Sequence, residues 1–257
     1  MKVHYTEPYL LNPQHPITVK VVGVGGTGSH ILAGLAAMDY NLRALGHMGL
    51  SVIAYDPDDV SITNPGRQKF LPSDISRNKA TVLIERINRS YGTHWGSVPA
   101  KYDQLAVSSR GCNILITCPD KGKTRKEIAG WMNTLNTKKQ YEPFDHFFYW
   151  LDIGNAKNTG QIVLGSREIA QPTSQYETVK RLSNIVDLYP NLASFDKDDQ
   201  GPSCSSMEAL NRQGLYINTL MATFGLDLLW TLLRESRIFS NGLYYNGDTK
   251  QLNPIML

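Results

Sequence analysis

Ile17-Thr-Val-Lys-Val-Val-Gly-Val-Gly-Gly-Thr-Gly-Ser29 decides the fold. Residues 17–22 are rich in β-branched side chains and read as a short buried strand. The strand runs into Gly23, Gly25, Gly26 and Gly28, and Ile31, Leu32, Leu35 and Met38 then follow on one helical face. Strand, glycine loop and helix in that order make an anion site. Glycines let the backbone approach a phosphate, and the helix N-terminus presents unpaired N–H groups. Gly23, Gly25 and Gly28 also satisfy the dinucleotide fingerprint, so the loop alone does not choose between nucleotides, and a tight turn without ligand is the bland alternative. NAD is disfavoured because Asp56, the acidic residue ending the next strand, lies well beyond the usual ~20 residues after such a loop.

Working outward, Leu50-Ser-Val-Ile-Ala-Tyr55 reads as a second strand and residues 78–88 as a helix, with Ala80, Leu83, Ile84 and Ile87 at helical spacing. Residues 113–118 read as a buried strand, 121–134 as a charged helix, and 146–153 and 160–164 as two more strands. Strands alternating with helices predict a Rossmann-like, doubly wound, mostly parallel sheet with helices on both faces. Residues 1–257 read as one domain. The polar stretch 166–203, with Pro172, Pro190 and Pro202, reads as a long crossover segment, partly mobile, leading to Cys204. Beyond it Met207, Leu210, Gly214, Ile217, Met221, Phe224, Leu228 and Leu232 recur at threes and fours, which predicts one long buried helix; a strand over residues 242–246 closes the chain.

Composition narrows the class. Hydrophobic residues make up 41% of the chain, enough for a core, and the formal charge of +3 is too small to argue for nucleic acid. The stretch 1–8 lacks the apolar core of a signal peptide. The most apolar stretch, 215–233, carries Asn218, Thr219, Thr223, Asp227 and Thr231, which suits a buried helix and not a membrane span. The expectation is a cytoplasmic protein. Cys112, Cys118 and Cys204 form no CxxC pair, so no zinc is expected.

Three further segments carry more information: Asp56-Pro-Asp-Asp-Val60, Asn64-Pro-Gly-Arg-Gln68 and Asp74-Ile-Ser-Arg-Asn-Lys-Ala80. With Asp120-x₄-Arg125, Asp152-Ile-Gly, Gly160-Gln-Ile-Val and Pro202-Ser-Cys-Ser205 they resemble the ThiF/MoeB ubiquitin-activating superfamily over nearly the whole chain. His15-Pro, Asn41-Leu-Arg-Ala-Leu-Gly46 and Glu208-Ala-Leu-Asn-Arg-Gln213 are similar to the ThiF-related proteins of bacterial PRTRC cassettes. The resemblance implies ATP and Mg²⁺ as cofactors, with Asp120 and Arg125 in the magnesium-site segment. It implies a small ubiquitin-like carrier protein as partner, further conjugation or deconjugation partners from the same cassette, and a sulfur-carrying cysteine at Cys204. The family often supplies an arginine from near the partner subunit's N-terminus; residues 1–22 hold only Lys2 and Lys20 as cations.

The chemistry fits these residues. A carboxyl terminus with pKa near ~3.5 is already ionised at pH 7, so its adenylation needs no general base. It needs charge neutralisation on the triphosphate and placement of the α-phosphate. Asp56 is expected to accept from ribose hydroxyls, Arg67 and Lys79 to hold phosphates, and Asp120 to offer the hard oxygen that Mg²⁺ prefers. Asn64 and Gln68 orient phosphates or fix the loop, and Asp58 is a secondary candidate. Singly, each has a bland reading as a solvated cation or a turn residue; their joint spacing favours the site. Cys204, between two serines and before the expected helix, is the candidate thioester nucleophile. The wide apolar surface of that helix, with Leu220, Leu229 and Leu233 outside the main stripe, predicts a homodimer. Three rivals stay open: adenylation without a thioester step, including action on a modified tRNA base; an NAD-dependent oxidoreductase; and a non-catalytic scaffold.

Overall fold

The computed structural model describes residues 1–103, 111–135, 145–196 and 214–257. The chain begins with β1 (Lys2–Tyr5), a short α1 (Pro8–Leu11) and β2 (Ile17–Val22). Then come α2 (Gly26–Ala44), β3 (Leu50–Tyr55), α3 (Lys79–Tyr91), β4 (Gly96–Val98) and β5 (Ile114–Thr117). α4 (Gly122–Leu135), β6 (Tyr149–Asn155), β7 (Thr159–Ser166), β8 (Glu177–Thr178) and α5 (Ile185–Leu188) follow, and α6 (Ile217–Arg234), β9 (Arg237–Ile238), β10 (Ser240–Asn246) and β11 (Gln251–Met256) complete it.

Eight described strands form the central sheet in the order β11-β10-β7-β6-β5-β2-β3-β4. From β4 to β6 every pairing is parallel, with Val21 opposite Ala54 on one side and Ile116 on the other. From β6 to β11 every pairing is antiparallel. The expected doubly wound parallel sheet is therefore present, and a hairpin-built antiparallel half extends it. The order reverses between β3 and β5 around β2, which opens a crevice at the carboxyl ends of these strands.

Both faces of the sheet are covered. Val19, Val21, Val52, Ile114, Ile116, Leu151 and Ile153 pack with buried residues of α2, α3 and α6. On the opposite face Val22, Leu115, Trp150 and Val163 pack with Ile128 and Met132 of α4 and Ile185 of α5. Burying both faces explains why β5 carries Ile114, Leu115 and Ile116 in succession instead of alternating apolar with polar residues.

Two expectations need correction. The long helix expected from Met207 onward is interrupted where it is described: Gly214 to Tyr216 lie outside it and the helix begins at Ile217, while the expected helix start at Cys204 lies outside the described residues. Gly214 instead donates its N–H to the carbonyl of Lys157 on the β6–β7 turn, at 2.8 Å. Leu229 and Leu233, offered as surplus apolar surface, are buried within the chain, and of the three only Leu220 stays open, at 37% exposure. The crossover, where described, carries short elements. It contains β8, α5 with a capping box between Asn184 and Asp187, and a 3₁₀ turn at Leu192–Phe195. Among the described residues no helix is long and apolar enough to cross a membrane.

Candidate active site

The crevice at the switch point is a polar cleft of about 660 Å³. Gly23, Gly25 and Gly26 form one wall. Gly23 has φ +84°, a left-handed conformation that L side chains avoid, and a Cβ there would lie 3.0 Å from the Cys118 carbonyl oxygen. The first turn of α2 therefore opens directly onto β5. Gly28 is buried inside α2 and does not line the cleft.

Asp56 follows β3 and is 4% exposed. One carboxylate oxygen accepts the Val24 N–H at 2.5 Å and the other the Asp58 N–H at 2.9 Å, so it ties the glycine loop to the end of β3. Burial pushes its pKa up, against the pull of those N–H groups and of Lys79. Asn78 caps α3, accepting from the Thr81 N–H, and its amide donates to the carbonyls of Asp56 and Asp58. Lys79 is thereby fixed at the head of α3, its Nζ 3.0 Å from Asp58, with side-chain exposures of 12% and 66%.

The loop between β3 and α3 brings two more predicted residues to the cleft, Arg67 and Gln68. Burial lowers the Arg67 pKa. The Gln68 side-chain oxygen is buried without a hydrogen-bond partner among the described residues, an acceptor left for a donor. Asn64 is buried and off the cleft wall. Its side-chain oxygen accepts from Ser61 N–H and its carbonyl from the N–H groups of Arg67 and Gln68, so it fixes the loop.

Asp120, exposed, lies on the opposite rim beyond β5. Arg125 also lines the cleft, but its charge is balanced inside the protein. Its Nε donates to both Asp152 oxygens at 3.0 and 2.8 Å, and its Nη2 to the Ile153 carbonyl. Trp150 donates to Thr117 Oγ1, which donates to Asp152, completing a buried polar chain. No group of three or more His, Cys, Asp or Glu side chains able to hold a metal occurs among the described residues. One exposed carboxylate beside a phosphate-sized cleft still fits Mg²⁺, which is usually held by one or two carboxylates plus substrate phosphates and water.

A model described as the ThiF family matches residues 15–230. The chain belongs to the ThiF family. Its fold is similar to the solved structure of selenomethionine PaaA, with TM-score 0.60 and 12% identity over 96% of this chain and 65% of that one. It is also similar to E. coli MccB solved with ATP (TM-score 0.58, 15% identity, 96% and 64% coverage) and with MccA (TM-score 0.58, 16% identity, 96% and 64%). The chain thus spans less than two thirds of the length of these structures. No curated protein matches it.

Within this ThiF-family cleft, sequence reasoning missed an amide cluster. Asn218, in the first turn of α6, accepts from Thr27 Oγ1 at 3.1 Å and from Asn155 Nδ2 at 3.0 Å, and its side chain occupies the space a Cβ on Gly26 would need. The available signal was the Asp152-Ile-Gly-Asn155 run and an asparagine in an apolar helix. Of the cysteines, Cys112 is buried with its thiol pushed up by burial to about 11. The half-buried Cys118 lines the cleft, and burial, then the Asp152 charge, raises its thiol too. Both are therefore thiols, not thiolates, at neutral pH. Cys204 lies outside the described residues.

Proposed function

We propose that this chain is an ATP-dependent adenylyltransferase that activates the C-terminal carboxylate of a small ubiquitin-like protein. The observation that carries the reading is the convergence of Gly23, Gly25, Gly26, Asp56, Arg67, Lys79 and Asp120 on one polar cleft at the switch point. Family membership supports it, and so does the existence of MccB structures with ATP and with MccA. An NAD enzyme has no use for two cations and a separate carboxylate around a triphosphate-sized space.

In the proposed reaction one oxygen of the carrier carboxylate attacks the α-phosphorus of ATP. The bond to the bridging oxygen breaks, and pyrophosphate leaves with that electron pair. Glycine-loop N–H groups and the α2 N-terminus hold phosphate oxygens. Arg67 and Lys79 balance the charge that grows on the departing pyrophosphate. Asp56 and Gln68 provide acceptors for nucleotide hydroxyl or amino groups. Asp120 would hold Mg²⁺, whose contribution when bound is to neutralise the triphosphate.

The second proposed step is attack by the Cys204 thiolate on the acyl carbon, releasing AMP and leaving a thioester. The alternative stops at the acyl-adenylate, which is then handed to another nucleophile. We further propose one domain, a homodimer, a cytoplasmic location and a place in the PRTRC subgroup, with cassette-encoded conjugation or deconjugation partners. ATP–pyrophosphate exchange with the small ubiquitin-like product of a neighbouring gene tests the function. Exchange that stays at background with tight ATP binding would leave the scaffold reading standing.

A further inference from the structure

α4 starts at Gly122. The residue before it is Lys121, whose side chain has no acceptor for the N–H groups of the first turn. A residue more than seventy positions away supplies one. The Asp196 carboxylate accepts the Gly122 N–H on one oxygen at 2.5 Å and the Lys123 N–H on the other at 3.0 Å. The turn that delivers Asp196 lies against the same point: a Cβ on Gly122 would meet the Leu192 carbonyl oxygen at 2.5 Å. Lys121 and Arg125 add favourable charge beside the carboxylate, and the two N–H groups hold its pKa below the usual carboxylate value.

α4 matters because of what flanks its start. Asp120 is two residues upstream of Gly122 and Arg125 one turn downstream, and both line the cleft. We infer that Asp196 is a positioning residue for the adenylation site, fixing the start of α4, and with it Asp120, against the turn that enters the crossover. The inference rests on reading the cleft as the Mg·ATP site. It has a second consequence. With the Gly122 and Lys123 N–H groups already given to a carboxylate, the α4 N-terminus is less available to phosphates than the α2 N-terminus.

The test uses the whole chain as wild type, Asp196→Ala and Asp196→Asn. ATP binding is measured by calorimetry while Mg²⁺ is titrated, and again in EDTA. Amide exchange over residues 120–126 and the melting temperature are followed in parallel. Losing the cap should speed exchange at the start of α4 and raise the half-saturating Mg²⁺ about five-fold, the factor that one helix cap is worth. ATP affinity in EDTA should stay within about two-fold, because Asp56, Arg67 and Lys79 are not held by α4. Asparagine keeps only one of the two acceptor oxygens, so Asp196→Asn should shift the Mg²⁺ dependence in the same direction but by less than Asp196→Ala, and it serves as the test variant if the alanine form does not fold. Faster exchange at α4 with an unchanged Mg²⁺ dependence would overturn the inference alone. A wild-type chain that binds no ATP in either condition would overturn the functional reading, and this inference with it.

Discussion

Lys79 Nζ lies 3.0 Å from a carboxylate oxygen of Asp58, a cation on the cleft wall held by an anion that is two-thirds in solvent. Such an exposed partner contributes less than ~1 kcal/mol and is readily exchanged for a phosphate. Asp58→Asn should therefore leave pyrophosphate exchange within about three-fold of wild type. Lys79→Ala should lower it by ~10²–10³ while the melting temperature stays close to wild type. Equal losses in the two variants would mean that Asp58 itself contacts the nucleotide.

Asp120 is exposed, so replacing it should cost little stability. We expect Asp120→Ala to fold normally and to lose pyrophosphate exchange by ~10²–10³, with the loss shrinking as Mg²⁺ is raised. Wild-type exchange in a folded Asp120→Ala would remove this residue from the site.

Asp74 gives the chain a pH-sensitive brace. It is buried, accepts the Leu71 N–H at 2.7 Å and pairs with Arg86 at 2.5 Å. Burial alone would raise its pKa, but the Leu71 N–H and Arg86 outweigh burial and the net shift is downward from 3.8. A depressed folded-state pKa means stability that is fully present above the unfolded value and lost as pH falls through the lower folded one. Asp74→Asn should thus cost ~1–3 kcal/mol at pH 7, and its deficit relative to wild type should fade below about pH 4. Urea melts at pH 7 and pH 3 check this; a deficit that is the same at both would refute it.

Cys204→Ala separates the two proposed chemical steps. Pyrophosphate exchange should persist near the wild-type rate, while a thiol-labile adduct with the carrier, read by intact mass, should vanish. An adduct that survives would shift attention to another nucleophile. Cys118 is a poor one, because burial and Asp152 keep its thiol protonated. Wild type without any adduct would favour the reading that ends at the acyl-adenylate.

Leu220 tests the assembly. It is the one residue of the three behind the homodimer expectation that the chain itself does not bury. Light scattering at micromolar concentration should give twice the chain mass for wild type. A monomer would show that α2 and the sheet alone satisfy α6.

The glycine-loop side of the candidate cleft was legible because its signals are local. Residues 17–28 carry the strand, the turn and the helix start in one run, and Asp56, Arg67 and Lys79 follow at spacings that resemblance can read. The rest depends on contacts far apart in sequence. Asn218 reaches Thr27 across 191 positions and Asp196 reaches Gly122 across 74, and an isolated Asn or Asp carries no mark of such a partner. The start of α6 was misjudged for a related reason. Apolar residues keep helical spacing from Met207 to Leu232, yet Gly214 gives its N–H to the β6–β7 turn, and periodicity cannot register that tertiary bond. Arg125 was legible as a cation near the site but not as one balanced by Asp152, because the ion pair depends on β6 lying beside β5.

The placement of β1 sets an order of events during synthesis. Residues 2–5 pair with 177–178 on one side and with 237–238 on the other, and His4 bonds to the Val179 carbonyl and the Tyr149 hydroxyl. None of these partners exists when that segment leaves the ribosome. At ~5–20 residues per second the segment waits roughly ten to fifty seconds for its second neighbour. The parallel core around β2, β3 and β5 has every strand available well before then. The glycine loop and the strands that flank it can therefore take shape while Lys2–Tyr5 still waits for its place between β8 and β9.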